Sequence, residues 1–431
     1  MWKVNTRKFK IKMTSELSNS RPAPPVVEDE DLQGTKVKDH GSGLFSMSNF
    51  DADSMDTEGE DESEADPDSE TVQDISLSIQ DPSPVSANRE TSFPQTPPKT
   101  DGDFHIHTVL DCGSEVMVCQ FSNDGTLLAV GLTDGSIKVY STDGGELLHT
   151  LRDQDSIVSS LPVTSLCFTH TSQEHSILLA TYASGCMRCW YVSGRQCMWW
   201  LKETRHNGEN EEGMQRQALC LSISPSGKQA VTGGSDAAIC LYDLNTHQRI
   251  QNHTASSMRT VMDGHSSRIF AVTFHPARET EFISGGWDNT IQFWDTRQHH
   301  AVRMLYGPHV CGEALHINPS TNQILSGSWR KHTTLEMWDY SSGGKVTSVP
   351  PDPYGDSMMY TCKWLGQDHI IAAGGHTNAL RIFDCHSLMV KSRLSDLPSA
   401  VFSSSICPSE RWPGLIAATS GSQVFLVVMD Q

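Results

Sequence analysis

His265, Ser284 and Asp288 fall within one short stretch of the chain. A serine, a histidine and a carboxylate are the parts of a hydrolytic nucleophile with its base and its orienting group, so an acyl-transfer site is the first chemistry to test. The frames that usually carry such chemistry are missing: the sequence holds no GxSxG, no HExxH and no GxxxxGK[ST]. Cys186 and Cys189 have the CxxC spacing of a zinc site, but no second CxxC follows. In a strand, residues three apart point to opposite faces, which separates these two sulfurs. His105 and His107 share a strand face and could bind a metal, yet no third ligand lies nearby in sequence. We therefore expect no catalytic residue, no metal and no cofactor, and the twelve cysteines read as reduced, small buried hydrophobes.

The elements that must hold these side chains follow from periodicity. Residues 282–297, FISGGWDNTIQFWDTR, read as a β-hairpin: an apolar run, a tight turn at 287–290, then alternation of Ile291 and Phe293 with Gln292 and Trp294. Taking Trp294 as a ruler, the equivalent position recurs at Tyr140, Trp190, Tyr242, Trp294, Trp338, Phe383 and Val427, at spacings of 50, 52, 52, 44, 45 and 44 residues. So regular a period marks a repeat architecture. Each copy shows three strand-like runs directly, and a fourth follows the ruler position in six copies. The seventh copy lacks its own fourth run, and residues 104–110, FHIHTVL, are expected to supply it and close the ring.

A Gly264-His265 entry about thirty residues before a Trp294-Asp295 exit resembles the WD-repeat β-propeller family. The resemblance implies an all-β, seven-bladed propeller over residues 104–431. It also implies that His265, Ser284, Asp288 and Trp294 form a hydrogen-bonded network inside the blade, which makes the Ser-His-Asp set scaffold. Asp134 and Asp236 match the turn aspartate in blades one and three, but Tyr140 and Tyr242 replace tryptophan there and no Gly-His precedes them. Those blades are expected to rely more on apolar packing.

Residues 1–103 differ in kind. Eleven of the twenty residues in 51–70 are acidic, and the segment holds 10 Lys+Arg against 22 Asp+Glu, so it carries twelve of the chain's twenty net negative charges. Too little apolar surface is available to offset chain entropy, and a disordered acidic tail is expected. Ser63 resembles a casein-kinase-type acidic site and Thr96 a proline-directed kinase site. The net charge of -20 argues against a nucleic-acid backbone as the main partner, and the lack of any run of eighteen apolar residues argues against a membrane span. The basic N-terminus has no apolar core, so a secretory signal is not expected and an intracellular place, cytoplasm or nucleus, is.

The positions that the repeat leaves free point to partners. Just before the turn aspartate, blades four to six carry Trp287, Trp329 and His376, with Arg330 and Lys331 in a longer turn. Tryptophan beside arginine is the composition of an interface hot spot. At the other end of the same hairpin, 282–297 resembles the WD-x-Arg box of cullin-RING substrate receptors, in which the terminal arginine, here Arg297, contacts the ligase adaptor. The reading is a non-enzymatic scaffold binding a peptide or protein, a monomer within a larger complex. A ubiquitin-ligase substrate receptor is its specific form, and a chromatin-associated histone-tail reader is the alternative.

Overall fold

The second strands of four blades carry a glycine at or next to their ends, Gly131, Gly233, Gly285 and Gly327, and the packing of neighbouring blades explains why. A Cβ on Gly131 would sit 2.7 Å from Val163, one on Gly233 2.7 Å from Ile269, one on Gly285 2.8 Å from Val310 and one on Gly327 2.9 Å from Met359. In each case that residue belongs to the start of the next blade, so at these four junctions the sheets approach closely because the side chain is absent. The interblade cores fill from both sides of such contacts: Ile283, Ile291 and Phe293 of one blade are buried with Val310, Leu315 and Ile324 of the next.

The computed structural model describes residues 97–153, 160–169, 176–203, 216–258 and 261–429. The acidic stretch and the kinase-site candidates Ser63 and Thr96 lie outside the described residues. Among the described residues there are 29 strands and no helix, arranged as six sheets of four antiparallel strands and one of five. Blade four is representative: Ile269–Phe274, Glu281–Gly286, Thr290–Asp295 and Arg303–Tyr306 pair in sequence order. The first strands of successive blades lie against one another, and that of blade seven, Ser404–Ile406, lies against that of blade one, Val116–Phe121. The result is a closed seven-bladed propeller.

Blade seven takes its outer strand from the beginning of the fold: Phe104–Asp111 pairs antiparallel with Gln423–Met429. The register breaks between Ile106 and Thr108, so His107 bulges and its ring packs 5.0 Å from that of Trp412, and both His105 and His107 stay exposed. Cys186 and Cys189 are buried in the third strand of blade two, Cys186–Tyr191.

Two features differ from expectation. Lys99–Asp101, read from sequence as part of the tail, forms a fifth strand on blade six by pairing with Val390–Ser395. Its residues, KTD, have no apolar alternation. The backbone ladder and the Lys99–Asp396 (2.9 Å) and Asp101–Arg393 (3.8 Å) ion pairs hold it.

Blade three, expected to rely on apolar packing, is built on a buried ionic cluster. Arg216 donates through Nε to Glu203 (2.6 Å) and through Nη1 to Asp236. The other Glu203 oxygen accepts from Thr232 (2.5 Å) and from the Tyr242 hydroxyl (2.8 Å). Thr232 and Tyr242 hold the register of Ser284 and Trp294, so an Arg-Glu pair replaces the histidine that blade three lacks.

Two outcomes follow. Removing residues 1–111 strips blade seven's outer strand and is expected to lower the melting temperature by at least roughly 5 °C, whereas removing residues 1–96 leaves it unchanged; differential scanning calorimetry on both truncations decides. Arg216→Met alone should cost about 3–5 kcal/mol in chemical denaturation, because it strands two buried carboxylates, and adding Glu203→Gln should recover part of that loss.

Candidate functional site

The hairpin of blade four turns through Trp287, Asp288, Asn289 and Thr290. Asn289 has φ +62°, a left-handed conformation that asparagine tolerates because its amide bonds locally. Asp288 caps the turn. Its Oδ1 accepts from Thr290 N (3.2 Å) and Thr290 Oγ1 (2.8 Å), and its Oδ2 accepts from Ser266 N (2.9 Å).

The same Oδ2 lies 2.8 Å from His265 Nδ1, while His265 Nε2 lies 2.7 Å from Ser284 Oγ. The Trp294 indole N–H donates to Ser284 Oγ (2.7 Å). An indole can only donate, so the serine oxygen accepts there. The ionised Asp288 can only accept, so a neutral His265 keeps its proton on Nδ1, aimed at Asp288, and its Nε2 accepts from the Ser284 hydroxyl. Burial works against the Asp288 charge, but the His265 hydrogen bond and the turn donors outweigh it and hold the carboxyl below its ordinary range. The close entry of the histidine needs Gly264, where a Cβ would lie 2.4 Å from Ala255 N.

His265, Ser284 and Trp294 are all buried. The serine oxygen spends its lone pair and its proton inside the blade, so the group that looks catalytic in sequence is a clamp between strands and turn. Blade five repeats part of it, with Trp338 Nε1 donating to Ser326 Oγ at 2.9 Å. In blade two Ala180 replaces that serine, and Trp190 Nε1 donates to the Tyr182 hydroxyl at 3.1 Å.

The inner strands decide what the turns rest on. Register breaks fall between Ile269 and Ala271 in blade four and between Met359 and Thr361 in blade six, which turns Phe270 and Tyr360 out of the ladder. Trp287 lies over Phe270 (centroids 5.4 Å apart) and stacks on His309 (6.1 Å), with the Arg268 guanidinium 5.4 Å from its ring. Its indole nitrogen is buried and faces the Cys311 thiol. Trp329 lies beside the Tyr360 hydroxyl, and the Tyr360 ring meets Phe402 at 5.1 Å. The aromatics thus make a band across blades four to seven.

Both tryptophans are half-buried rather than fully exposed, and the bulged Phe270 packs against the ring of Trp287. Arg330 is half-buried and reaches back to blade four, where it donates to Asn289 Oδ1 (3.1 Å), the oxygen that also lies 2.8 Å from His309 Nδ1. Burial, and then the nearby Arg330 charge, holds His309 below its ordinary range. Lys331 and His376 are exposed, His376 at φ +76°. The sequence reading missed Arg268, Phe270, His309, Tyr360 and Phe402. An aromatic at the first-strand bulge was the available signal.

Arg297 sits past the far end of the third strand, with its side chain 74% exposed. Its Nε donates to Asp295 Oδ1 (2.8 Å) and its Nη2 to Oδ2 (2.5 Å) in a fork that holds the Asp295 carboxyl below its usual range. A cavity of about 490 Å³ opens in the central channel beside Phe270, Glu313, His316 and Lys363. Glu313 there accepts from Ser403 (2.9 Å).

Comparison with known proteins agrees with this geometry. Residues 214–243 and 256–295 match the family described as WD domain, G-beta repeat, and residues 105–171 match the Anaphase-promoting complex subunit 4 WD40 domain. Guanine nucleotide-binding protein subunit beta of Zea mays is 25% identical over 187 residues, 41% of this chain and 48% of that protein. Cilia- and flagella-associated protein 52 of Chlamydomonas reinhardtii is 24% identical over 250 residues, 56% of this chain and 36% of that protein. The chain thus spans less than half the length of these relatives. A solved chain from the crystal structure of a mitotic checkpoint complex superposes with a TM-score of 0.60 at 18% identity, covering 83% of this chain and 99% of that one. That likeness bears on fold alone.

Ser284→Ala should cost about 1–3 kcal/mol, since it leaves the Trp294 N–H and His265 Nε2 buried without partners. Because the Asp288 carboxyl is lowered in the fold, its contribution is present above the unfolded carboxylate range and fades as pH falls through the lowered value. Denaturation curves of Asp288→Asn should therefore show a weaker loss of stability on acidification than the parent.

Proposed function

We propose, from the premise that this chain is a WD-repeat β-propeller, that it works as a non-enzymatic protein-interaction scaffold. It takes a peptide or protein segment at the mouth where Trp287, Trp329, Arg330, Lys331 and His376 stand. WD-repeat propellers are typical interaction scaffolds, and no enzymatic family is indicated. The observation that carries the reading is the aromatic band in which Trp287, His309, Trp329 and Phe402 are partly open to solvent over buried Phe270 and Tyr360, edged with cations. Rigid aromatics with guanidinium neighbours give large contact area at low entropic cost.

The specific form is a cullin-RING substrate receptor in which Arg297 docks the adaptor. It is supported by an exposed guanidinium held in place by Asp295, at the opposite end of the hairpin from Trp287, so one blade would serve adaptor and substrate together. The alternative, a reader of basic histone tails, draws on the net charge of -20, most of which lies in residues 1–103. Arg268, Arg330 and Lys331 around the mouth weigh against it. Either role belongs to the cytoplasm or nucleus.

Affinity purification of the full chain with mass spectrometry separates these roles. Trp287→Ala with Trp329→Ala is expected to remove the specific partners while the chain, though less stable, keeps the parent's circular dichroism spectrum, and an unchanged partner set would refute the mouth. Arg297→Ala is expected to remove cullin-RING components alone; their undiminished recovery sinks the receptor form.

A further inference from the structure

The buried arginines of this propeller are each matched to a carboxylate. Arg188 pairs with Asp153, Arg216 with Glu203 and Asp236, Arg381 and Arg393 with Asp352. Three half-buried arginines have no carboxylate partner among the described residues: Arg268, Arg303 and Arg330. Arg303 donates to the Tyr340 and Ser341 carbonyls, which occupies its fork. Arg268 and Arg330 remain: the first lies over the Trp287 ring, and the second reaches the Asn289 amide oxygen beside the His309 that stacks on Trp287.

The turn carboxylate of blade four does not serve them. Both oxygens of Asp288 are taken by Thr290, Ser266 and His265. Where a carboxylate would neutralise Arg330, blade four presents Asn289, a neutral acceptor already shared with His309. His309 is held below its ordinary range, so it adds an aromatic face and no competing charge. Two guanidiniums are thus desolvated in part, fixed on separate supports and left with forks to fill, beside an aromatic band. Leaving a partly buried charge unpaired costs free energy that a bound anion returns.

We infer that the segment taken at this mouth is an acidic peptide, whose Asp or Glu carboxylates are forked by Arg268 and Arg330 while a neighbouring apolar side chain lies on the Trp287–Trp329 aromatics. The inference rests on the mouth reading above and names its partner class. A planar carboxylate matches one guanidinium fork, and two cations on separate supports suit two monoanionic side chains of one extended segment. The net negative charge of the chain does not forbid this, because charges beyond about 8 Å are largely screened at physiological salt whereas these two would lie in contact.

The test uses immobilised full chain and a pooled library of twelve-residue peptides, randomised at eight positions and doped with phosphoserine, the retained fraction being sequenced by mass spectrometry. Asp and Glu, next to an apolar residue, are expected to be enriched over input. Arg268→Glu with Arg330→Glu should reverse the enrichment toward Lys and Arg, and the exposed control Arg249→Glu should leave it unchanged. Arg330→Gln, which alters a single hydrogen bond to Asn289, keeps the test open if the double variant unfolds, and should weaken binding of a retained acidic peptide roughly tenfold in fluorescence polarisation. Retention without acidic preference, a preference for phosphoserine or for basic residues, or insensitivity to both arginine variants overturns the inference and leaves the mouth reading standing. A retained pool no larger than that of the Trp287→Ala, Trp329→Ala chain overturns both.

Discussion

The propeller depends on how closely one blade can approach the next. Gly131, Gly233, Gly285 and Gly327 each leave room for an apolar residue at the start of the following blade, and a single methyl at any of them would meet that residue below 3 Å. Seven blade junctions must close on themselves, four of them through such glycines, so a gap anywhere is shared by the whole ring. The closure is tied across the chain by the Phe104–Asp111 ladder with Gln423–Met429 and by the contact of blade seven's first strand with blade one. Edges are removed by pairing: blade six even covers its outer strand with Lys99–Asp101.

Flush packing buries polar turns, and each blade answers that cost with different chemistry. In blade four, Trp294, Ser284, His265 and Asp288 form one chain of donors and acceptors. Blade three satisfies the same third-strand and turn positions with Glu203 and Arg216, and blade six ties its turns with Asp352 between Arg381 and Arg393. What recurs is the requirement that buried donors and acceptors be paired. The residue types are free to change.

The mouth obeys a different rule. Its aromatics are ordered by inner-strand bulges that the fold itself requires, yet Arg268 and Arg330 are left without the carboxylates that buried arginines receive elsewhere. Arg297, by contrast, is forked onto Asp295 and stands out in solvent. One hairpin therefore carries a saturated clamp in its middle, an unsaturated rim at one end and a preorganised cation at the other.

Fold and blade count were legible in the chain because period and strand alternation are local: Tyr140 through Val427 could be ruled off at near-constant spacing. So was the blade-four network, whose four members lie on one repeat. The cluster of Glu203 and Arg216 was not, since it joins the end of one blade to the start of the next without a motif. Nor was the strand Lys99–Asp101, whose register depends on backbone pairing and ion pairs with distant residues. Sequence alone determined that Trp287, Trp329 and Arg330 occupy turn positions the repeat leaves free. Only the tertiary structure decided that bulged Phe270 packs against Trp287, that Trp329 comes up to bulged Tyr360, and that Arg330 crosses to Asn289. Exposure and charge pairing are set by residues far apart in the chain, which no local pattern encodes.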